Sequence, residues 1–265
     1  MRKLYAQANQ IVVLGEAMAE RVRKKMGERQ RDDQEVRVIP NWEDPDFIQP
    51  VDKQNNSFAK QHGTVDKFTV IYSGNIGRFH ELQTTIDAIG MLEARGRNDI
   101  QLVIIGEGAR KRELQTYVSE NNITNVSFLP FQPMENLPES LTCGDVSLVG
   151  NKPDLVGMNV SSKLYSSLAA GMPILATVAE GDEVGRTVKQ CNCGEQISPG
   201  HAAEAAAVLQ EWADNPEVAS SLGENARACF EARYTFDQAL QSYIKMFNSI
   251  TGDDEKLKDS PPNSA

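Results

Sequence analysis

Short apolar runs alternate with amphipathic stretches along almost the whole chain. Ile11-Val12-Val13-Leu14 is a continuous apolar run ending at Gly15, which predicts a buried strand. Glu16 to Lys25 carries Met18 and Val22 four apart, the spacing of a helix face. Val36 to Ile39 predicts a second strand, stopped by Pro40. Pro40 to Gln49 reads as an irregular crossover, and the polar stretch Asp52 to Asp66 as an exposed excursion. A regular series follows. Strands are predicted at Phe68 to Tyr72, Gln101 to Ile105, Val126 to Leu129, Asp145 to Val149, Pro173 to Ala176 and Gly194 to Ile197. Helices are predicted at about Glu81 to Ala94, up to Ser119, near Glu135 to Leu141, Ser161 to Ala170 and Asp182 to Lys189.

Three helices close the pattern. The first follows Pro199-Gly200. The second takes Asn215 as N-cap and Pro216 at its first position. The third opens at Thr235 with Gln238 three residues later, a capping box. Its face of Phe236, Ala239, Leu240, Tyr243, Ile244 and Phe247 must pack on something. Thr251 to Ala265 is charged and proline-rich and is expected to be disordered. Alternating strands and helices, with continuously apolar strands, imply an α/β fold: a doubly wound, Rossmann-like parallel sheet covered on both faces. Such sheets bind ligands beyond the carboxyl ends of their strands. Gly74, Gly77, Gly106, Gly108 and Gly157 all fall in strand-to-helix loops at that end.

Composition narrows the function. The 265 residues carry a formal net charge of -10, which disfavours sequence-blind nucleic-acid binding but not a small anion held by local donors. No apolar run reaches the length of a membrane span, and the first residues lack a signal-peptide core, so a cytoplasmic location is expected. Cys143, Cys191, Cys193 and Cys229 fit no CxxC or zinc spacing and are expected to be reduced structural thiols; no metal site is expected. No GxSxG, HExxH, Walker A or paired-carboxylate arrangement is present, so no catalytic residue is named.

Two loops carry candidate chemistry. Ser73-Gly74-Asn75-Ile76-Gly77-Arg78-Phe79-His80 joins a strand to a helix; its glycines admit a ligand to the backbone, and Arg78 would add a bidentate phosphate contact. The other reading is a tight turn with a solvated arginine, and His80 is either a phosphate donor or a surface histidine. Gly157-Met158-Asn159-Val160-Ser161-Ser162-Lys163 enters a helix at Ser161, a good N-cap. Lys163 in the first turn opposes the helix dipole unless an anion is bound there; otherwise it points to water. Pro130 and Phe131, just past a strand, would stand beside a flat base or form an edge of the core.

In order and spacing these segments resemble the C-terminal, donor-binding half of a group 1 (family 4) retaining glycosyltransferase of GT-B fold, over about residues 4 to 250. Val38-Ile39-Pro40-Asn41 with Asp44 is similar to that family's interdomain segment. Tyr72 to Gly77 resembles its "YsGnlG", Val103 to Gly108 its "viiGeG", and Ser162 to Pro173 its helix ending in "AAGxP". The resemblance implies a β-α-β remnant of the N-terminal, acceptor-holding domain at 1–40 and a nucleotide-sugar-binding domain at 41–250, with 251–265 as the disordered tail. It further implies a nucleoside diphosphate sugar as donor substrate, without a separate cofactor. Gly74, Asn75 and Gly77 would line the donor cleft, and Arg78 or His80 would stand near the diphosphate. Gly106, Pro130 and Phe131 would flank the base; Gly157, Asn159, Val160, Ser161 and Lys163 would hold the phosphates and sugar. The chain departs from the pattern at Met158 and Ser166, where many members carry two glutamates that touch the donor sugar and the ribose.

Three functions remain open: glycosyl transfer to a polysaccharide or glycolipid acceptor, a non-catalytic nucleotide-sugar-binding or partner-docking module, and a GT-B epimerase, which would need a carboxylate pair not found here. Most of an acceptor domain is missing, so an exposed apolar patch is expected. Its partner would be a separate chain supplying that domain, or a second copy.

Overall fold

The computed structural model describes residues 5, 7–27, 31 and 34–251. Apart from Thr251, the expected tail lies outside the described residues, as do residues 1–4 of the N-terminal segment. The first unit is β1 (Gln10–Val13), α1 (Glu16–Met26) and β2 (Glu35–Val38), with the two strands parallel. Its own small core gathers Val13, Ala19, Val22, Met26 and Val36.

The larger unit runs α2 (Ser57–His62), β3 (Phe68–Ser73), α3 (Gln83–Ala94), β4 (Ile100–Ile105), α4 (Lys111–Glu120), β5 (Val126–Leu129), α5 (Leu137–Leu141), β6 (Val146–Gly150), α6 (Ser162–Ala169), β7 (Ile174–Thr177), α7 (Glu183–Cys191), β8 (Gly194–Ile197), α8 (Ala202–Asp214), α9 (Pro216–Arg233) and α10 (Phe236–Thr251). Its six strands pair in parallel in the order β5-β4-β3-β6-β7-β8, a doubly wound sheet. Alternate residues of each strand feed opposite faces. Val70, Tyr72, Leu102 and Ile104 pack with Ile86, Ile89, Leu209 and Trp212, while Ile71, Val103 and Ile105 meet Phe58 and Ala59.

The ladders explain where a crevice opens. β3 and β4 stay paired from Phe68↔Ile100 to Ser73↔Ile105. β3 and β6 pair only at Val70↔Val146 and Ile71↔Ser147. Their carboxyl ends then separate, and this is also where the strand order reverses. The backbone of Phe79 to Glu81 wedges into the gap. Lys152 N–H donates to the Phe79 carbonyl at 2.9 Å, and a Cβ on Gly150 would lie 1.8 Å from the Glu81 carbonyl oxygen.

Three expectations are corrected. The stretch Asp52 to Asp66 is not an exposed excursion, because it contains α2, which buries Phe58 and Ala59 against the sheet. Asn56 makes that possible: fully buried, it caps α2 through Ala59 N–H at 2.9 Å. Its amide donates to the Glu139 carbonyl at 2.8 Å and to Thr142 Oγ1 at 3.0 Å. Asn56→Ala is expected to lower unfolding free energy by about 2 kcal/mol in a denaturant titration, since it removes a cap and strands buried partners. Second, Asn215 stands before α9, but its side chain turns back to the Glu211 carbonyl at 2.9 Å and closes α8 instead. Third, Cys191 and Cys229 are joined in a disulfide, because the end of α7 and the face of α9 bring their Cα atoms to 5.7 Å. Cys143 and Cys193 are free and buried, and burial pushes both thiols up to about 12.

Candidate functional site

The site is built from loops at the carboxyl ends of β3, β4, β5 and β6. The first loop is shaped from within. Ile76 is fully buried, and its amide donates to the Glu107 carbonyl at 2.7 Å. Tyr72 Oη donates to the Asn75 carbonyl at 2.6 Å, pinning the turn to the end of β3. Gly74 and Gly106 touch backbone to backbone: a Cβ on Gly106, whose φ is +148°, would lie 1.9 Å from the Gly74 carbonyl oxygen. The β3 and β4 loops therefore form one surface.

Lys163 reaches this surface from the first turn of α6. Its Nζ lies 3.4 Å from His80 Nε2 and 5.1 Å from the Tyr72 ring centroid, and its Cε is 2.8 Å from where a Gly74 Cβ would sit. Burial pulls the Lys163 amine down to about 8. Burial first, and then the charge of Lys163, push the His80 imidazole down to about 4, so that ring is neutral near pH 7. Gly77 N–H donates to His80 Nδ1 at 3.1 Å, which assigns the ring hydrogen to Nε2. His80 Nε2 and Lys163 Nζ thus face each other at 3.4 Å, while a backbone hydrogen bond to Asn75 partly offsets the fall in the His80 pKa. No carboxylate lies within 4.0 Å of Lys163 among the described residues, whereas Arg110, Lys111 and Arg186 are each paired with a glutamate. An oxyanion lying against the open side of this pair would take up the Lys163 charge.

The start of α6 adds to this. Ser161 occupies the N-cap position as expected, but its side chain makes no cap hydrogen bond, so the first-turn amides lack that acceptor. By contrast, Asp182 caps α7 through Val184 N–H at 2.9 Å, and Glu81 serves Thr84 N–H in α3 at 3.0 Å.

The predicted residues divide into groups. Gly74, Asn75, Gly77, His80, Gly106 and Lys163 come together. Pro130 and Phe131 lie beside them at the end of β5, where Leu129 pairs with Ile105, and the Phe131 ring is 65% exposed. Asn159 is exposed, while Val160 and Ser161 are buried. Arg78, in the same loop, is exposed and makes no ion pair or hydrogen bond among the described residues. Gly157 serves a different contact: its φ is +68°, and a Cβ there would lie 2.5 Å from the Ala17 carbonyl oxygen, so it seats the β6 loop against α1. The same junction is tied by Glu183, which accepts from Ala17 N–H at 2.9 Å, and by Arg186 with Glu20 at 2.7 Å.

Sequence reasoning missed Arg110, whose Nη1 donates to the His80 carbonyl at 2.9 Å while Nη2 holds Glu113 at 2.8 Å. The available signal was a basic residue two positions after Gly108, at the head of the helix that follows the β4 loop. An open cleft of about 950 Å³ lies at the amino ends of β3, β6 and β7. Its Lys53 and Arg227 are already paired, with Asp145 at 2.6 Å and Glu231 at 2.8 Å.

Comparison with known proteins agrees with the architecture. Residues 53–228 match the family model described as glycosyl transferases group 1. The probable glycosyltransferase WbjE of Pseudomonas aeruginosa is 24% identical over 240 residues, covering 91% of this chain and 58% of that protein. The crystal structure of Anabaena Alr3699/HepE in complex with UDP superposes with a TM-score of 0.81 at 16% identity, over 94% of this chain and 66% of that one. The C-terminal domain of the group 1 glycosyl transferase family protein LpcC of Francisella tularensis superposes with a TM-score of 0.60 at 16% identity, over 73% of this chain and 99% of that domain. The chain thus spans a little over half the length of WbjE and about two thirds of HepE. Among the described residues, no helix is long and apolar enough to cross a membrane.

Proposed function

The chain belongs to the group 1 glycosyl transferases, and from that premise we propose that it binds a nucleoside diphosphate sugar at the β3–β6 crevice and serves as the donor half of a glycosyltransferase. The observation that carries this reading is the half-buried Lys163 amine, which faces His80 Nε2 with no carboxylate of the described residues to neutralise it. A donor diphosphate lying against the open side of this pair would take up the Lys163 charge, and a helix N-terminus such as that of α6, whose N-cap side chain makes no cap hydrogen bond, favours an anion. Gly74, Asn75, Gly77 and Gly106 line its approach, and Pro130 and Phe131 offer a flat apolar edge to the base.

Glycosyl transfer breaks the bond between the sugar's anomeric carbon and the diphosphate and forms one to an acceptor hydroxyl oxygen, whose proton passes to the departing diphosphate. Charge builds on the departing diphosphate, and Lys163, His80 Nε2–H and the α6 amides stabilise it as it forms. Arg110 acts at one remove by holding the His80 carbonyl. The acceptor is a polysaccharide or glycolipid, with the acceptor side supplied by a separate chain. The test is isothermal titration of the purified chain with UDP- and GDP-sugars. Saturable binding of at least one is expected, and no binding of any at millimolar concentration overturns the proposal.

A docking role finds support in one surface. On α10, Ala239 and Met246 are buried, but Phe236, Leu240, Phe247 and Ile250 are 49%, 41%, 56% and 51% exposed. Trp42 extends the patch, its ring 6.1 Å from Phe236 and 6.5 Å from Tyr243. The stripe expected to pack on something is thus half covered, and we assign the open half to a partner carrying the acceptor domain or to a second copy.

A further inference from the structure

The Lys163 amine sits on a long stem, and something must hold it in place. Elsewhere in the chain a carboxylate does this: Asp145 holds Lys53 at 2.6 Å, and Glu113 holds Arg110 at 2.8 Å. Around Lys163 the described residues offer neutral groups instead. The Tyr72 ring centroid lies 5.1 Å from Nζ, inside the roughly 6 Å reach of a cation–π contact. Gly74 flanks the stem, since a Cβ there would come 2.8 Å from Lys163 Cε. His80 Nε2 stands 3.4 Å from Nζ, and the His80 and Tyr72 ring centroids are 6.0 Å apart in an edge-to-face arrangement at 61°.

Tyr72 is itself fixed on every side. It is fully buried near the end of β3, where it pairs with Ile104, and its Oη donates to the Asn75 carbonyl at 2.6 Å. Burial pushes the phenol well above its ordinary value, so the residue stays neutral and acts through its ring face, not as a phenolate. Arg227 on α9 is the contrast. Its guanidinium lies 5.2 Å from the Phe230 ring, but it is also paired with Glu231 and donates to the carbonyls of Ile48 and Ala169. There the ring adds to a charge that is already neutralised. Under Lys163 the ring stands without a carboxylate. A π face attracts an ammonium without cancelling its charge, and leaves its N–H groups for another acceptor. A carboxylate in that spot would compete with an arriving anion.

We propose that Tyr72 is a positioning residue whose ring holds the Lys163 ammonium in place, still charged, for the donor diphosphate. This inference rests on the donor-site reading of Lys163. The test is isothermal titration of the full chain with inorganic pyrophosphate and with UDP, from about pH 6 to 9, the range that brackets the Lys163 titration near 8. The charged or titratable groups facing that amine are His80 and Tyr72, with Arg110 behind the His80 carbonyl. Tyr72→Phe keeps the ring and loses the Asn75 tether, so pyrophosphate affinity should stay within about threefold of wild type. Tyr72→Leu removes the ring and should weaken binding about five- to tenfold. It should also move the alkaline fall in affinity down by roughly half to one pH unit, because the ammonium has lost an attraction. Trifluorophenylalanine placed at position 72 keeps the shape of the Phe variant but drains the negative face of the ring. It should shift both readouts in the same direction as leucine, and it decides the matter if the leucine variant melts far below wild type. In a Lys163→Ala background, none of these changes should cost more than about twofold.

Equal loss with phenylalanine and trifluorophenylalanine, an alkaline fall that stays in place, or a loss that persists without Lys163 each overturns the role of Tyr72. Wild type that binds neither probe, or binding indifferent to Lys163→Ala, overturns the donor-site reading and this inference with it.

Discussion

Lys163→Ala is expected to weaken nucleotide-sugar binding by about ten- to a hundredfold, the equivalent of one charge-assisted hydrogen bond of roughly 1.5–3 kcal/mol. The amine is well placed for this because it is already partly desolvated and has no protein carboxylate to give up. Its proton gives the effect a pH signature. Burial lowers the Lys163 pKa to about 8 in the free protein, and a bound diphosphate must raise it. Below about pH 8 the amine is charged with or without ligand, so affinity is flat. Above that, the free protein has lost a proton that the complex keeps, and affinity falls by up to about tenfold per pH unit. The free protein shows the opposite trend. With the folded pKa depressed from 10.5 to about 8, the unfolded chain holds more protons between those values, and stability rises with pH across that window. Lys163→Ala removes both trends. Arg78→Ala, which deletes an exposed side chain with no partner among the described residues, is expected to lose far less. Titration calorimetry from about pH 7 to 9 reads the slope. Unchanged affinity in the alanine variant, or a slope that survives it, would sink the assignment of Lys163 to the diphosphate.

The architecture was legible because it rests on periodicity. Continuous apolar runs such as Val103 to Ile105 admit only a strand covered on both faces, and the glycines after them mark where strands end. Boundaries moved by a residue or two, as for Gln10–Val13 and Ile174–Thr177, because ladder partners rather than hydropathy set strand ends. The α2 segment was illegible because its apolar content is two residues, Phe58 and Ala59. Its stability comes from Asn56 reaching Glu139 and Thr142, more than eighty positions away in sequence. The Cys191–Cys229 bond was hidden for a similar reason, since spacing motifs are local and that pairing depends on how α9 crosses α7.

At the site, Lys163 could be singled out because a cation in a first helical turn contradicts the local dipole. Its meeting with His80 depends on the split between β3 and β6, which no single segment encodes. Arg78 was favoured by proximity to Gly77, whereas the fold leaves it exposed and brings in Arg110 from the neighbouring loop.

Gly106→Ala is expected to be the most damaging single-methyl change in this region. The new Cβ would lie 1.9 Å from the Gly74 carbonyl oxygen, and Gly106 has a φ of +148°, outside the range of an alanine. Neither neighbour yields easily. Gly106 N–H donates to the Leu129 carbonyl at 3.1 Å, and Gly74 N–H to the Ile105 carbonyl at 2.9 Å, so both backbones are tied to the sheet. A cost of about 3 kcal/mol or more follows from backbone strain plus backbone clash. That corresponds to a fall in Tm of roughly 6–12 °C in a domain of this size. Gly74→Ala provides the contrast. Gly74 also has a positive φ, of +132°, but its Cβ would meet the Lys163 side chain, with Cε at 2.8 Å, and a lysine stem can swing away. Gly74→Ala should therefore melt closer to wild type while losing nucleotide-sugar affinity, because the ammonium is displaced from His80. Thermal melts paired with titration separate the two variants. Gly106→Ala melting within about 2 °C of wild type would show that the β3 and β4 loops are not in rigid contact. Gly74→Ala with full affinity would show that the position of Lys163 beside Gly74 does not matter to the ligand.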